Sequence, residues 1–280
     1  PMPSVKPVRI HRYRGAELEA TEDLLVTEEP LEIRLGYGST ADRQQLSLSV
    51  TMRTPGHDEE LTIGFLFSEG IIQAASDLLS VKYCEDLGKS EQKENVMRAE
   101  LAPHIVLDSA LFKRNFYTTS SCGVCGKASI DQVRVTCASI VDNLMHVDIS
   151  VLYQLPQRLT EAQLVFKHTG GLHAAALFDL QGELHFFRED VGRHNALDKV
   201  LGHLLLTERT LAHHSVLLLS GRISFELVQK AARAGIPILA AIGAPSSLAV
   251  ELGDELGMTL IGFLKHDKCN VYTHEGRVRG

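Results

Sequence analysis

The sequence predicts an α/β protein in which a smaller mixed α/β region precedes a regular layered α/β domain. Three observations carry that expectation. Residues 216–264 alternate strand, helix, strand, helix, strand across short Gly- and Pro-containing turns, the pattern that builds a sheet with parallel neighbours. Residues 46–50 read Leu-Ser-Leu-Ser-Val, the period of a half-buried strand, a few residues before a helical stretch opened by acids. A chain of 280 residues also exceeds the usual single-domain size, so two modest units or one elaborated α/β unit is expected.

In chain order, the strand at 46–50 is followed by Asp58, Glu59 and Glu60, which suit the N-terminus of a helix over 61–67 that Ser68-Glu69-Gly70 stops. Residues 83–95 are polar and charged and predict an exposed loop or hairpin tip, with 97–101 as the returning strand. Residues 116–127 are small, hydroxylated and glycine-rich, without helical or strand period. They predict a mobile loop running into a helix near Ala128. Thr160-Glu161-Ala162-Gln163 spells a capping box, so a helix is expected from there to Thr169-Gly170-Gly171. Residues 172–178 and 183–188 flank Asp179-Leu180-Gln181-Gly182 and predict a hairpin. A helix over 194–206 follows, with Ala196, Leu197, Val200, Leu201, Leu204 and Leu205 on one face. Strands at 216–219, 236–241 and 259–264 and helices at 225–234 and 248–256 complete the chain. The expected division is 1–115, a linking loop at 116–130, and 131–280.

Twenty-eight Lys and Arg against thirty-five Asp and Glu leave a net charge of −7, which argues against the wide basic face of a nucleic-acid binder. A local basic pocket for a phosphorylated ligand remains open. Five cysteines cannot all pair within one chain, and a reduced, cytoplasmic setting is expected. Lys6, Arg9, Arg12 and Arg14 are followed by no apolar h-region, so no secretory signal is read. The longest apolar runs are strand length, and no membrane span is expected.

Cys122-Gly123-Val124-Cys125 is the sharpest chemical signal. Backbone N–H groups at Gly123 and Gly126 and a following helix N-terminus would stabilise a thiolate there. Spacing alone leaves three readings open: structural zinc, thioredoxin-like exchange, and a sulfur carrier holding a persulfide on Cys122. Cys137 reads as a small apolar side chain, and Cys84 and Cys269 as ordinary thiols. Downstream, Thr169-Gly170-Gly171-Leu172-His173 lets backbone approach a ligand and aims His173 into that space, unless it is simply a helix cap followed by a strand. Residues 188–199 gather Arg193, His194 and Asn195 at a helix start, a ready anion site, with Glu189 and Asp190 able to pair with them or to accept from a ligand. Ser220-Gly221-Arg222-Ile223-Ser224 and the turn containing Ser246 and Ser247 repeat that logic at the next strand ends, Ser224 serving as an N-cap. Lys265 and Lys268 close the last. Ligands in such sheets bind outside the carboxyl ends of the strands, and the repetition suggests a ligand with more than one phosphate.

In this order, C-G-V-C-G, T-G-G-L-H-A-A, E-D-V-G-R-H-N-A-L-D-K and S-G-R-I-S-F-E resemble the FdhD family, the formate dehydrogenase accessory sulfurtransferases. The similarity runs from the Phe-Leu-Phe-Ser-Glu-Gly-Ile-Ile stretch at 65–72 to Asn-Val-Tyr-Thr-His at 270–274. It implies a C-terminal layer likened to cytidine deaminases. The implied activity is acceptance of persulfide sulfur from a cysteine desulfurase and its transfer to the molybdenum or tungsten bis-guanine-dinucleotide cofactor of formate dehydrogenase. The implied setting is cytoplasmic, as a homodimer. Cys122 matches the persulfide-bearing cysteine and Cys125 its partner. Phe263, Leu264, Lys265, His266, Asp267 and Lys268 match the cofactor-binding stretch. Asp267 departs from the small residue usual there, and Lys268 from the common Arg. Deamination itself is disfavoured: Ser121 precedes the first cysteine, His173 is followed by Ala174-Ala175 rather than x-Glu, and His57-Asp58-Glu59 sits in a polar turn far upstream.

The sequence therefore predicts catalytic Cys122 and Cys125, no metal site, and a cofactor held by Gly171, His173, Arg193, His194, Arg222, Ser246 and residues 263–268. A guanine nucleotide would stand in for the cofactor. The rival classes are a cofactor-binding chaperone without sulfur chemistry, which full maturation by Cys122→Ala would leave standing, and a zinc-binding oxidoreductase or deaminase, which stoichiometric zinc in the purified protein would favour.

Overall fold

The computed structural model describes residues 4–85, 93–105, 107, 140, 145–207 and 209–280. Cys122, Cys125, Cys137 and the loop expected at 116–127 lie outside the described residues.

The fold is α/β, as the strand–helix alternation predicts. Its N-terminal strands are β1 (Val5–Arg14) and β2 (Glu17–Val26), an antiparallel ribbon, then β3 (Glu29–Ser39) and β4 (Asp42–Arg53). After helix α1 (Asp58–Ser68) come β5 (Leu78–Tyr83) and β6 (Val96–Leu101), which close a four-stranded sheet in the order β4-β3-β6-β5. The strand expected at 46–50 and the returning strand at 97–101 are both in it. The ribbon and β3 carry no signal in the sequence reading above; β1 and β2 are mostly exposed, so alternation there has no core to record.

The C-terminal elements are β7 (Val147–Asp148), α2 (Ile149–Ala162), α3 (Leu164–Thr169), β8 (His173–Asp179), β9 (Leu184–Asp190), α4 (Arg193–Leu206), β10 (Ser215–Leu219), α5 (Phe225–Arg233), β11 (Ile238–Ala241), α6 (Ser247–Glu255), β12 (Thr259–Gly262), β13 (Asn270–Thr273) and β14 (Val278–Arg279). Six of the strands form a sheet in the order β13-β12-β11-β10-β8-β9. β10, β11 and β12 run parallel; β8, β9 and β13 run against their neighbours.

Strand period sorts this sheet's residues onto two cores. Ala175, Leu177, Leu217, Leu219, Leu239, Ala241 and Leu260 face one, and Ala174, Ala176, Phe178, Val216, Leu218, Ile238, Ala240 and Ile261 the other. The first is filled by α4, α5, α6 and α1 and by the inner face of the four-stranded sheet. The second is filled from α2 by Leu152, Leu155 and Leu159. Burial on both faces is why these strands read as unbroken apolar runs.

The capping box at Thr160 does not open a helix. Asp148 caps α2 instead, its carboxylate accepting from Ser150 N at 2.8 Å, and Leu152, Leu155 and Leu159 form the buried stripe. Thr160 lies in the last turn, where its hydroxyl donates back to Pro156 O at 2.8 Å. Pro156 inside the helix interrupts the sequence signal without ending the helix. The expected stop is kept: Gly170 ends α3 in the left-handed region, at φ 64°.

The two sheets are joined by α1 against α4. A methyl group at Gly64 would overlap the Asp198 carbonyl, and one at Gly202 the Glu60 carbonyl, so the two backbones touch. Beside the contact, Lys230 Nζ donates to Asp198 Oδ1 at 2.8 Å and to Ser68 Oγ at 2.6 Å, all three buried. Gly64→Ala or Gly202→Ala should therefore cost about 1–3 kcal/mol of stability, as overpacking does. Gly276→Ala, with open space around it, should stay within about 0.5 kcal/mol; equal denaturant midpoints for all three variants would contradict the close contact.

Candidate functional site

The parallel strands β10, β11 and β12 all end at one edge of the six-stranded sheet. Antiparallel pairing places the start of β8 there (Leu219 opposite Ala175) and the end of β9 (Asp190 opposite His173). Gly171, His173, Arg193, His194, Arg222, Ser246 and residues 263–268 therefore fall along one rim, although they are spread over almost a hundred positions. The turns of the rim are stitched sideways. Ala174 N donates to Ser220 Oγ at 2.8 Å, Gly243 N to Gly221 O at 3.1 Å, Ser246 N to Ile223 O at 3.0 Å, and Phe263 N to Gly243 O at 3.0 Å. A Cβ on Gly243 would lie 2.7 Å from Gly221 O, so the close approach of these two turns requires glycine at position 243.

Arg193 is the first residue of α4, after Gly192 at the N-cap. Its Nε is buried with no hydrogen-bond partner among the described residues. A buried guanidinium nitrogen left in that state is costly, and an anion at the rim would satisfy it. Its positive charge is felt by His173. Burial first, and then Arg193, holds the His173 imidazole below its ordinary range, against the opposing pull of Asp190. His194 is tied through Nε2 to Ser224 Oγ at 3.3 Å and Glu226 Oε2 at 3.4 Å.

The acids of the turn divide. Asp190 is fully buried: Lys199 Nζ lies 2.8 Å away, and Thr54 N, Gly192 N and Asn195 Nδ2 donate to its carboxylate. It shapes the turn that carries Arg193 and offers nothing to a ligand. Glu189 accepts from Gln163 Nε2 at 2.9 Å, and burial pushes its carboxyl above the usual range.

The remaining residues are placed unequally. Arg222, Lys265, His266, Asp267 and Lys268 are exposed, and Lys265 N donates to Lys268 O at 2.9 Å to close their turn. Phe263 holds an exposed ring with φ 53°, a left-handed conformation costly for a bulky residue. Leu264 is fully buried in the core beneath, so its side chain anchors that turn and does not line the rim. The hydroxyl of Ser246 accepts from Ala249 N at 3.2 Å and caps α6, while Gly171 is exposed and packs near Val26 at the root of the ribbon. Ser224 occupies the N-cap of α5 without making the capping bond. Glu226 joins the site without having been expected from the sequence; its signal is the Ser-x-Glu at the start of α5. Among the described residues no cluster of three or more metal-ligating side chains occurs, and no helix is long and apolar enough to cross a membrane.

The model of the FdhD/NarQ family matches residues 26–279. A "Sulfur carrier protein FdhD" of Streptomyces avermitilis is 48% identical over 273 residues, covering 96% of this chain and 94% of the relative. One of Sulfurisphaera tokodaii is 41% identical over 274 residues, covering 98% and 99%. A crystal structure described provisionally as a formate dehydrogenase accessory protein from Desulfotalea psychrophila superposes with a TM-score of 0.74. It covers 99% of this chain and all of that one at 23% identity, a likeness of fold.

The position of His173 has a consequence for acid stability. Because its folded imidazole is held down, the unfolded chain binds that proton more readily. The stability is complete above the ordinary histidine range and is lost as pH falls through it. His173→Gln should thus lose less stability than the native chain between about pH 7 and pH 5; equal acid sensitivity in thermal melts would contradict the assignment.

Proposed function

The chain belongs to the FdhD/NarQ family, and on that premise we propose that it is a cytoplasmic sulfurtransferase that supplies sulfur to the guanine-dinucleotide form of the molybdenum or tungsten cofactor destined for formate dehydrogenase. The observation that carries the reading is the convergence of Arg193, His194, His173, Arg222 and the 263–268 turn on one strand-end rim. The buried Arg193 Nε, without a partner among the described residues, fits an anionic occupant.

In this reading the Cys122 thiolate attacks the outer sulfur of a persulfide on a cysteine desulfurase. An S–S bond forms on Cys122, and the desulfurase leaves as its own thiolate, with no net redox change. Cys125 then attacks the inner sulfur of the Cys122 persulfide. Hydrosulfide departs towards the cofactor, and the Cys122–Cys125 disulfide left behind is reopened by a thiol reductant. The cofactor is cargo, and the chain's part is to bind and orient it. Arg193, Arg222 and Lys265 would meet its phosphates, and the exposed Phe263 ring would meet a guanine face. Asp267 can accept hydrogen bonds from the guanine edge, which offsets its repulsion of the phosphates. A homodimer is part of the same proposal, resting on the family.

Intact mass after incubation with a desulfurase and cysteine should show one added sulfur, removable by reductant, and none in Cys122→Ala. Cys122→Ala should still bind guanosine diphosphate but leave formate dehydrogenase immature, whereas Arg193→Ala should weaken the nucleotide about tenfold or more, the loss of one charged contact. Full maturation by Cys122→Ala would leave a cofactor-binding chaperone in place of a sulfurtransferase.

A further inference from the structure

Two equivalent turns of the rim treat their serines differently. Ser246, at the N-cap of α6, accepts from Ala249 N with its hydroxyl oxygen. Ser224, at the N-cap of α5, makes no such bond. Its hydroxyl donates to Glu226 Oε2 at 3.1 Å and lies 3.3 Å from His194 Nε2. The helix forgoes its cap, and the serine bridges a histidine and a glutamate that arrive from different helix starts. His194 is the second residue of α4 and Glu226 the second of α5.

The charges around His194 make this arrangement informative. On its own helix Arg193 is adjacent, and His173 approaches from β8. Asp190, at the end of β9, is already engaged by Lys199, Asn195 and the Thr54 amide. Arg222 precedes α5, and the N-termini of α4 and α5 both present positive ends here. Glu226 is the one carboxylate within ion-pair distance of His194 among the described residues, and both side chains are 15% exposed. Burial raises the Glu226 carboxyl, but the contacts with His194 and Ser224 outweigh it and hold the group below the usual range. The pair occupies Nε2; Nδ1 has no partner among the described residues.

We propose that Glu226 is a positioning residue for His194. With Ser224 it fixes the ring through Nε2 and so sets where Nδ1 lies relative to Arg193. His194 Nδ1–H and the Arg193 guanidinium then form a paired donor set for a phosphate or diphosphate anion. This inference rests on the cleft reading above and adds to it the residue that holds one of its contacts in place.

The test is calorimetric titration of the full chain with inorganic pyrophosphate and with guanosine diphosphate at neutral pH. In Glu226→Gln affinity for both should be down about tenfold, one charged contact's worth. Glu226→Asp should restore most of it, and Ser224→Ala should lie between. Glu226→Gln indistinguishable from the native chain overturns the proposal. A readout independent of ligand is the ring nitrogen shifts of His194 in the free protein, which should differ between the native chain and Glu226→Gln. Unchanged shifts overturn the proposal even where pyrophosphate binds. Changed shifts with no binding of either anion by the native chain support the pair and count instead against the cleft reading.

Discussion

The contact on which the rest depends is the meeting of α1 and α4 at Gly64 and Gly202. Two helices that touch backbone to backbone leave no freedom for either to slide. The four-stranded sheet is thereby fixed over the six-stranded one. The buried Lys230, Asp198 and Ser68 set beside the contact make its register specific, because a shifted pairing would leave a buried charge without a partner. From that junction the order extends to the rim. Asn195 Nδ2 donates to Met52 O at 2.8 Å, Lys199 Nζ to Thr54 O at 2.9 Å, and Thr54 N to Asp190 Oδ2 at 3.1 Å. The end of β4 thus clamps the turn from which Arg193 and His194 emerge.

A chain of net charge −7 can still gather positive groups at one rim. Charge is sorted by position, not by total. Two carboxylates beside the helix starts are engaged inwardly, Asp190 by Lys199 and Glu226 by His194, while the Arg193 Nε has no partner among the described residues. Helix starts add their own partial positive charge. The lateral hydrogen bonds between the turns at 220–224, 242–246 and 263 hold this field in place, so a ligand would meet a preorganised surface and lose little to ordering it.

Much of this was legible in the sequence because burial on both faces of a parallel sheet writes itself as apolar runs, and the turns after such strands announce themselves with Gly, Ser and Arg. The rim residues could be named before their meeting could be seen. What the sequence hid has physical causes. Thr160 mimicked a helix start because serine and threonine bond to backbone both at caps and within helices, and Pro156 masked the stripe of Leu152, Leu155 and Leu159. Asp190 looked available to a ligand because nothing local shows that Thr54, far upstream, closes over it. Leu264 stood within a polar stretch yet packs inward, and Glu226 gained its meaning only from a helix thirty-odd residues away. Thr160 and Pro156 mislead locally, within one helix, whereas Asp190 and Glu226 take their partners from distant positions, to which periodicity is blind.

The proposal that the strand-end rim is the anion cleft of this protein can be checked in a crystal structure of the full chain grown with guanosine diphosphate. The diphosphate oxygens should lie within hydrogen-bond reach of the Arg193 guanidinium, with His194 on the same side. Nucleotide seated on another surface, with the Arg193 nitrogen still unpartnered, would contradict it.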